Sequence, residues 1–233
     1  MKNLYTLFLT SCLATLSLAA DAAHPFSPFD DEDLRRYGAE SQFDGVHALI
    51  FKDNQRCSTV AIPNLSYATY LTSRSCIEYH GRPTLMRGDK VVASAYACFS
   101  SPPGKTKPQY DIAICYFPKI AQSSLTYPLY TGELDPLLTQ PLIHVGYGRV
   151  ESKQYYPRQA FTTTVRKNSL WLEPTNRNTI PSEQPSGMVT EGDSGGGLFW
   201  KDPEEQLHLV GIADRGGAPA RRVREPHYYD SLP

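Results

Sequence analysis

Apolar residues along the chain fall into short runs rich in β-branched and aromatic side chains, without the three-to-four spacing of amphipathic helices. The runs are HALIF (47–51), STVAI (58–62), YATYLT (67–72), KVVASAYACF (90–99), DIAICYF (111–117), PLIHVGYG (141–148), FTTTV (161–165), GGGLFW (195–200) and LHLVGIA (207–213). Runs of this length and composition predict strands, so the expected fold class is all-β. Between them lie polar stretches dense in Pro, Gly, Asn and Ser, SSPPGKTKPQY (100–110) and EPTNRNTIPSEQPSG (173–187), where the chain turns or covers a surface. A division near Ile120 to Leu125 leaves two halves of similar length, each with enough strands for a small β-barrel.

The first residues have a different pattern. Lys2 precedes an apolar run from Leu4 to Ala20, and Ala19, Ala20, Ala22 and Ala23 offer small residues for cleavage, which predicts a signal peptide over 1–22. Thr6, Thr10, Ser11 and Ser17 interrupt the run, leaving it too polar for a membrane span, and nothing later is long enough. Leu9 to Cys12, LTSC, has the form of a lipoprotein box but would cut the apolar run in half. The expected destination is therefore secreted or periplasmic. Beyond the signal, 23–40 forms an N-terminal segment and candidate pro-region, and 41–233 the folded domain, in halves of 41–120 and 121–233.

Export gives the cysteines a meaning. Without Cys12, four remain, Cys57, Cys76, Cys98 and Cys115, and an oxidising compartment lets them form two disulfides in any of three connectivities. No CxxC pair or His-x-x-x-His cluster accompanies them, so no metal site and no cofactor is expected. With 23 basic and 24 acidic residues the net charge is −1, which excludes general attraction to nucleic acid. The local cluster Arg221, Arg222 and Arg224 reads as solvated loop charge.

Candidate chemistry centres on EGDSGGGLFW, 191–200. Gly192, Gly195, Gly196 and Gly197 permit unusual backbone angles around Ser194, so that the N–H groups of Gly192 and Ser194 can converge as an oxyanion hole. Asp193, if buried, requires a cationic partner, for which a freed α-amino group is one candidate. Alone, the string also suits a glycine-rich surface turn.

Its neighbours in the chain argue otherwise. EGDSGGGLF, DIAICYF, IHVGYG and LHLVGIA, with RCSTVAI followed by YLTSRSC, occur in the order in which the chymotrypsin-like serine endopeptidases carry similar segments, and the chain resembles that family over about 37–233. The resemblance implies a double six-stranded β-barrel with a cleft between the barrels, and a Cys57–Cys76 bond; the pairing of Cys98 and Cys115 stays open. It implies Ser194 as nucleophile, Asp111 as the buried orienting carboxylate, and Gly192 and Ser194 as oxyanion donors. It places Met188 at the floor of the primary specificity pocket and Arg215 and His227 on its walls, which would narrow it. Ala213 falls where relatives support the aspartate with a serine. Arg35-Arg36-Tyr37-Gly38-Ala39 resembles an activation junction, with a plain dibasic loop as the other reading.

One position departs from the pattern. Relatives carry histidine directly before the second cysteine of the pair, and here Ser75 precedes Cys76. A hydroxyl has no proton-accepting state near neutral pH comparable to an imidazole, whose ordinary pKa is about 6.5. His80 is the nearest substitute in sequence, while His47, His144 and His208 read as core or surface histidines of strands, and His24 precedes the domain. The expectation is a protease homologue impaired in catalysis that binds a protein or peptide partner. The alternative is a working serine endopeptidase with a displaced base.

Overall fold

The computed structural model describes residues 29–64, 66–100, 111–148, 157–168, 171–175, 184–187, 189–214 and 229–231. Seven strands make the first sheet: β1 (Val46–Ile50), β2 (Arg56–Ile62), β3 (Ala68–Ser73), β4 (Thr84–Arg87), β5 (Lys90–Ser94), β6 (Ala97–Ser100) and β7 (Ile112–Phe117). Their order is β5-β4-β1-β2-β3-β7-β6. Six more close a barrel in the order β10-β13-β12-β11-β8-β9: β8 (Leu142–Gly146), β9 (Gln159–Asn168), β10 (Trp171–Thr175), β11 (Gly197–Lys201), β12 (Leu207–Ala213) and β13 (Tyr229–Ser231). All the strand pairings are antiparallel. The first unit thus has seven strands where the resemblance implied six. The extra strand arises because 90–99, read as one run, breaks at Ala95-Tyr96 into β5 and β6, which pair with different neighbours.

Strand alternation explains how the sheets bury two faces at once. In β3 every residue is buried: Ala68 and Tyr70 join the interior of the first sheet with Cys115 and Phe117, while Leu71 points to a second cluster. That second cluster spans both halves, combining Val46, Val60 and Leu71 with Val145, Phe199 and Ile212. Burying each such side chain stabilises the fold by about 1.5–3 kcal/mol, and here the burial also joins the two halves. Both disulfides lie in the first half, Cys57–Cys76 and Cys98–Cys115. The second links residues directly opposite in the β6–β7 register, a pairing the sequence had left open.

Two helices escaped the strand pattern. α1 (Asp31–Gly38) starts at Asp30, whose carboxylate accepts from the Glu32 and Asp33 amides in a capping box. Its Leu34 is wholly buried among Leu142, Phe161 and Val210 of the second barrel. Gly38 abuts Arg158 and Gln159 so closely that a Cβ would overlap their backbone. Arg35, Arg36 and Tyr37 therefore lie within a docked helix: Arg36 pairs with Asp33, and Tyr37 is buried, which pushes its phenol well above the ordinary range. The second helix, α2 (Arg74–His80), follows β3 directly and ends at Gly81, φ 79°.

Candidate active site

The loop before β11 is held by the other half of the molecule. Ser58 of β2 donates its amide to the Ser194 carbonyl at 2.7 Å and its hydroxyl to the Gly192 carbonyl at 2.9 Å. The same hydroxyl accepts from the Tyr147 amide at 2.8 Å. Gly192 and Gly195 take φ values of 92° and 85°, in the left-handed region where a side chain is strained. Gly195 also presses on the Ser58 carbonyl and the Thr72 hydroxyl, where a Cβ would overlap both. Its amide bonds the Ala213 carbonyl at 2.8 Å, tying the loop to β12. The glycines that suggested a nucleophile turn are thus needed for seating this turn on β2 and β3, and Ser194 itself is half-buried.

Asp193 is 1% exposed. One oxygen accepts from the Thr190 amide at 2.9 Å, and the other lies 3.5 Å from His144 Nε2 of β8, whose side chain is equally buried. Gly146 and Gly148 lie against the carboxylate, with no room for a side chain on either. The basic group at ion-pair distance from buried Asp193 is thus an imidazole of a neighbouring strand, with no hydrogen bond between the two; the sequence had suggested a freed α-amino group. His144, read as a core histidine, is both core and counter-group.

The base side is arranged differently. Ser75 is the second residue of α2, next to Cys76, whose bond to Cys57 fixes this end of the helix to β2. Its amide donates to Asp111 Oδ1 at 2.7 Å and its hydroxyl to Oδ2 at 3.0 Å. The Arg74 amide donates to the Asp111 carbonyl at 3.0 Å. Burial raises Asp111 most, and hydrogen bonding and charge from Asp214 add to it, so that this carboxyl is pushed up to about 8 despite the two Ser75 bonds that lower it. Asp214, just beyond β12, is 4% exposed. A second acid beside a buried one disfavours its ionisation, and Arg74 Nε, 3.9 Å from Asp111 Oδ1, opposes that effect. Sequence reading missed Asp214 by fixing on Ala213, one position earlier; the signal available was an acid directly after an apolar strand.

The structure brings Asp111 to Ser75, and brings the Ser194 loop alongside them, with Cys76 Sγ 3.8 Å from the Ser194 carbonyl oxygen. The four described histidines have partners of their own. His47 Nε2 is 3.3 Å from Ser123 Oγ, and His80 Nδ1 is 2.7 Å from Asp53 at the far end of α2. His208 Nε2 is 2.9 Å from Asp202, and His144 faces Asp193. Met188, Arg215 and His227, the expected pocket residues, lie outside the described residues, as does His24. Among the described residues no group of three or more His, Cys, Asp or Glu is placed to hold a metal.

No family model and no curated protein matches this sequence. Solved structures do match its fold. A scabies mite inactivated protease paralogue aligns with TM-score 0.57 at 14% identity, covering 86% of this chain and 92% of that one. Human heparin binding protein aligns with TM-score 0.60 at 14% identity over 84% and 89% of the two chains. A serine protease of a human pathogenic astrovirus aligns with TM-score 0.55 at 9% identity over 82% and 90%. The chain has the chymotrypsin-like double β-barrel fold, a fold that does not by itself fix an activity.

Proposed function

We propose that this chain is an exported serine protease homologue that has lost proteolytic turnover and acts by binding a protein partner. The observation that carries this reading is the bidentate contact of Ser75 with Asp111, with Asp214 completing the carboxyl's surroundings. In this reading Ser75, with the Asp111 and Asp214 carboxyl groups and Arg74 around it, takes the position at which Ser194 would need a base. Losing the histidine of such a triad lowers turnover by about 10⁶ in the subtilisin example, while a binding cleft survives the loss. In support, one structural neighbour is itself described as an inactivated protease paralogue and another as a heparin binding protein. Two disulfides fit an oxidising compartment, and no helix among the described residues is long and apolar enough to cross a membrane. In this reading the Gly192 and Ser194 amides keep an oxyanion site that has no reaction to serve.

The second reading, a serine endopeptidase with a displaced base, draws on the well-seated Ser194 loop. A fluorophosphonate probe separates the two. The first reading expects no covalent labelling of the purified protein; labelling at Ser194 that disappears in Ser194→Ala overturns it.

A further inference from the structure

Away from Ser194, a cavity of about 680 Å³ opens where α1, the first sheet and the second barrel meet. Arg35, His47, Arg87, Asp89, Ser123 and Arg158 are among the residues that line it. Its volume is that of a site for a small organic molecule, and a junction between structural units is where such sites commonly occur.

The three arginines are used unequally. Arg158 spends its guanidinium on the frame: Nε donates to the Gly38 carbonyl at 2.6 Å, Nη1 to Phe43 at 2.7 Å, and Nη2 to Glu40 at 3.2 Å and Asp44 at 2.9 Å. Arg87 uses Nη2 for the Ala121 and Gln122 carbonyls at 3.4 and 3.2 Å, and its side chain also bonds Tyr70. Arg35 pairs Nη2 with Glu32 at 3.2 Å, while its Nε is buried without a hydrogen-bond partner. That Nε is sealed from the cavity, so the part of Arg35 that an incoming oxygen could meet is the outer end of its guanidinium.

The lining carries three guanidinium groups against two carboxylates. Asp44 is taken by Arg158, and Arg35 is paired with Glu32 outside the lining, leaving Arg87 with Asp89 at the turn. His47 reports the same balance: burial, then Arg87 and Arg158, push its ring down to about 3, with Asp44 opposing only in part. The imidazole is neutral and the guanidinium groups supply the charge.

We propose that this cavity binds a small organic oxyanion, a carboxylate or a phosphate ester, with Arg35 and Arg87 as its donors. Guanidinium forks match the oxygen spacing of either group. The proposal does not involve the Ser194 loop, so fluorophosphonate labelling leaves it untouched in either direction.

Thermal melting of the purified protein is the test, with citrate and inorganic phosphate titrated at constant ionic strength against chloride. A saturable rise in melting temperature is expected with at least one probe: with phosphate alone for a phosphate-ester ligand, with citrate alone for a carboxylate. Arg87→Gln and Arg35→Gln should each weaken the response about tenfold or more, as loss of a charged hydrogen bond does. Lys90→Gln, an equal charge change at an exposed position on β5, should leave it unchanged. No saturable response to either probe, a response that survives both arginine substitutions, or equal weakening by Lys90→Gln overturns the proposal.

Discussion

Asp193 and Asp111 are both carboxyl groups with at most 5% exposure, one in the Ser194 loop and one against the start of α2. Asp193 faces a histidine and two hydrogen-bond donors of Thr190. Asp111 faces an alcohol, the Arg74 guanidinium at 3.9 Å and a second acid. Burial raises the free energy of an ionised carboxylate in both places, and the two surroundings differ: one offers a ring at ion-pair distance, while in the other burial and a neighbouring acid push the carboxyl up. The loop therefore seats a buried carboxyl beside an imidazole, while the position beside it sets one beside an alcohol.

The most demanding test of this contrast restores the missing ring. Ser75→His combined with Asp214→Ser supplies an imidazole and removes the competing acid. If the Ser194 loop is otherwise assembled, fluorophosphonate labelling should rise by at least about 10³-fold over the parent. Persistent silence in a folded double variant would show that the loop differs from a working one in more than its base.

Breaking the other side is a matter of stability. His144→Phe leaves the Asp193 carboxylate buried without its partner, and urea denaturation should show a loss of about 3–5 kcal/mol. A loss below about 1 kcal/mol would mean that the Thr190 bonds alone satisfy Asp193.

The acid pair predicts an unusual pH dependence. Asp111 ionises near 3.8 when unfolded and near 8 when folded. Below the first value both states hold the proton and the pair costs nothing. As pH rises from there to about 8 the unfolded state gives up the proton first, so stability falls, by at most about 1.4 kcal/mol per pH unit. Denaturation curves for the parent and Asp214→Asn across this window isolate the effect. The variant should lose part of the slope, since burial is the larger cause and remains, and be the more stable protein at pH about 8, where the parent has borne the full cost. An unchanged slope would dissociate Asp214 from Asp111.

The smallest expected effect belongs to His80. His80→Ala removes a ring bonded to an exposed aspartate and should leave melting temperature and labelling of Ser194 unaltered. Labelling of the parent that is lost in His80→Ala would instead identify the displaced base.

Much of this frame was visible in the residues. Nine apolar runs anticipated strands because a half-buried strand must alternate or run apolar, and eight of them carry a single strand each, from HALIF in β1 to LHLVGIA in β12. β4, β10 and β13 were missed: TLMR is short and ends in a charge, WLEPT contains a proline that reads as a loop, and YDS is three residues long. α1 was missed because its eight residues, DEDLRRYG, are mostly charged, and only Leu34 and Tyr37 announce a buried stripe. Ser75, Asp111, Gly192 and Ser194 were singled out by type and order, whereas His144 and Asp214 gave no local signal of their partners.

The sequence by itself determined the β class, the residue types at the site and the absence of an imidazole before Cys76, since these depend only on local pattern and identity. Tertiary structure decided which charges meet. His144 lies 49 positions before Asp193, and Asp214 lies 103 positions after Asp111. Electrostatic energy depends on separation in space and on the water excluded between groups, and neither is written in the distance along a chain.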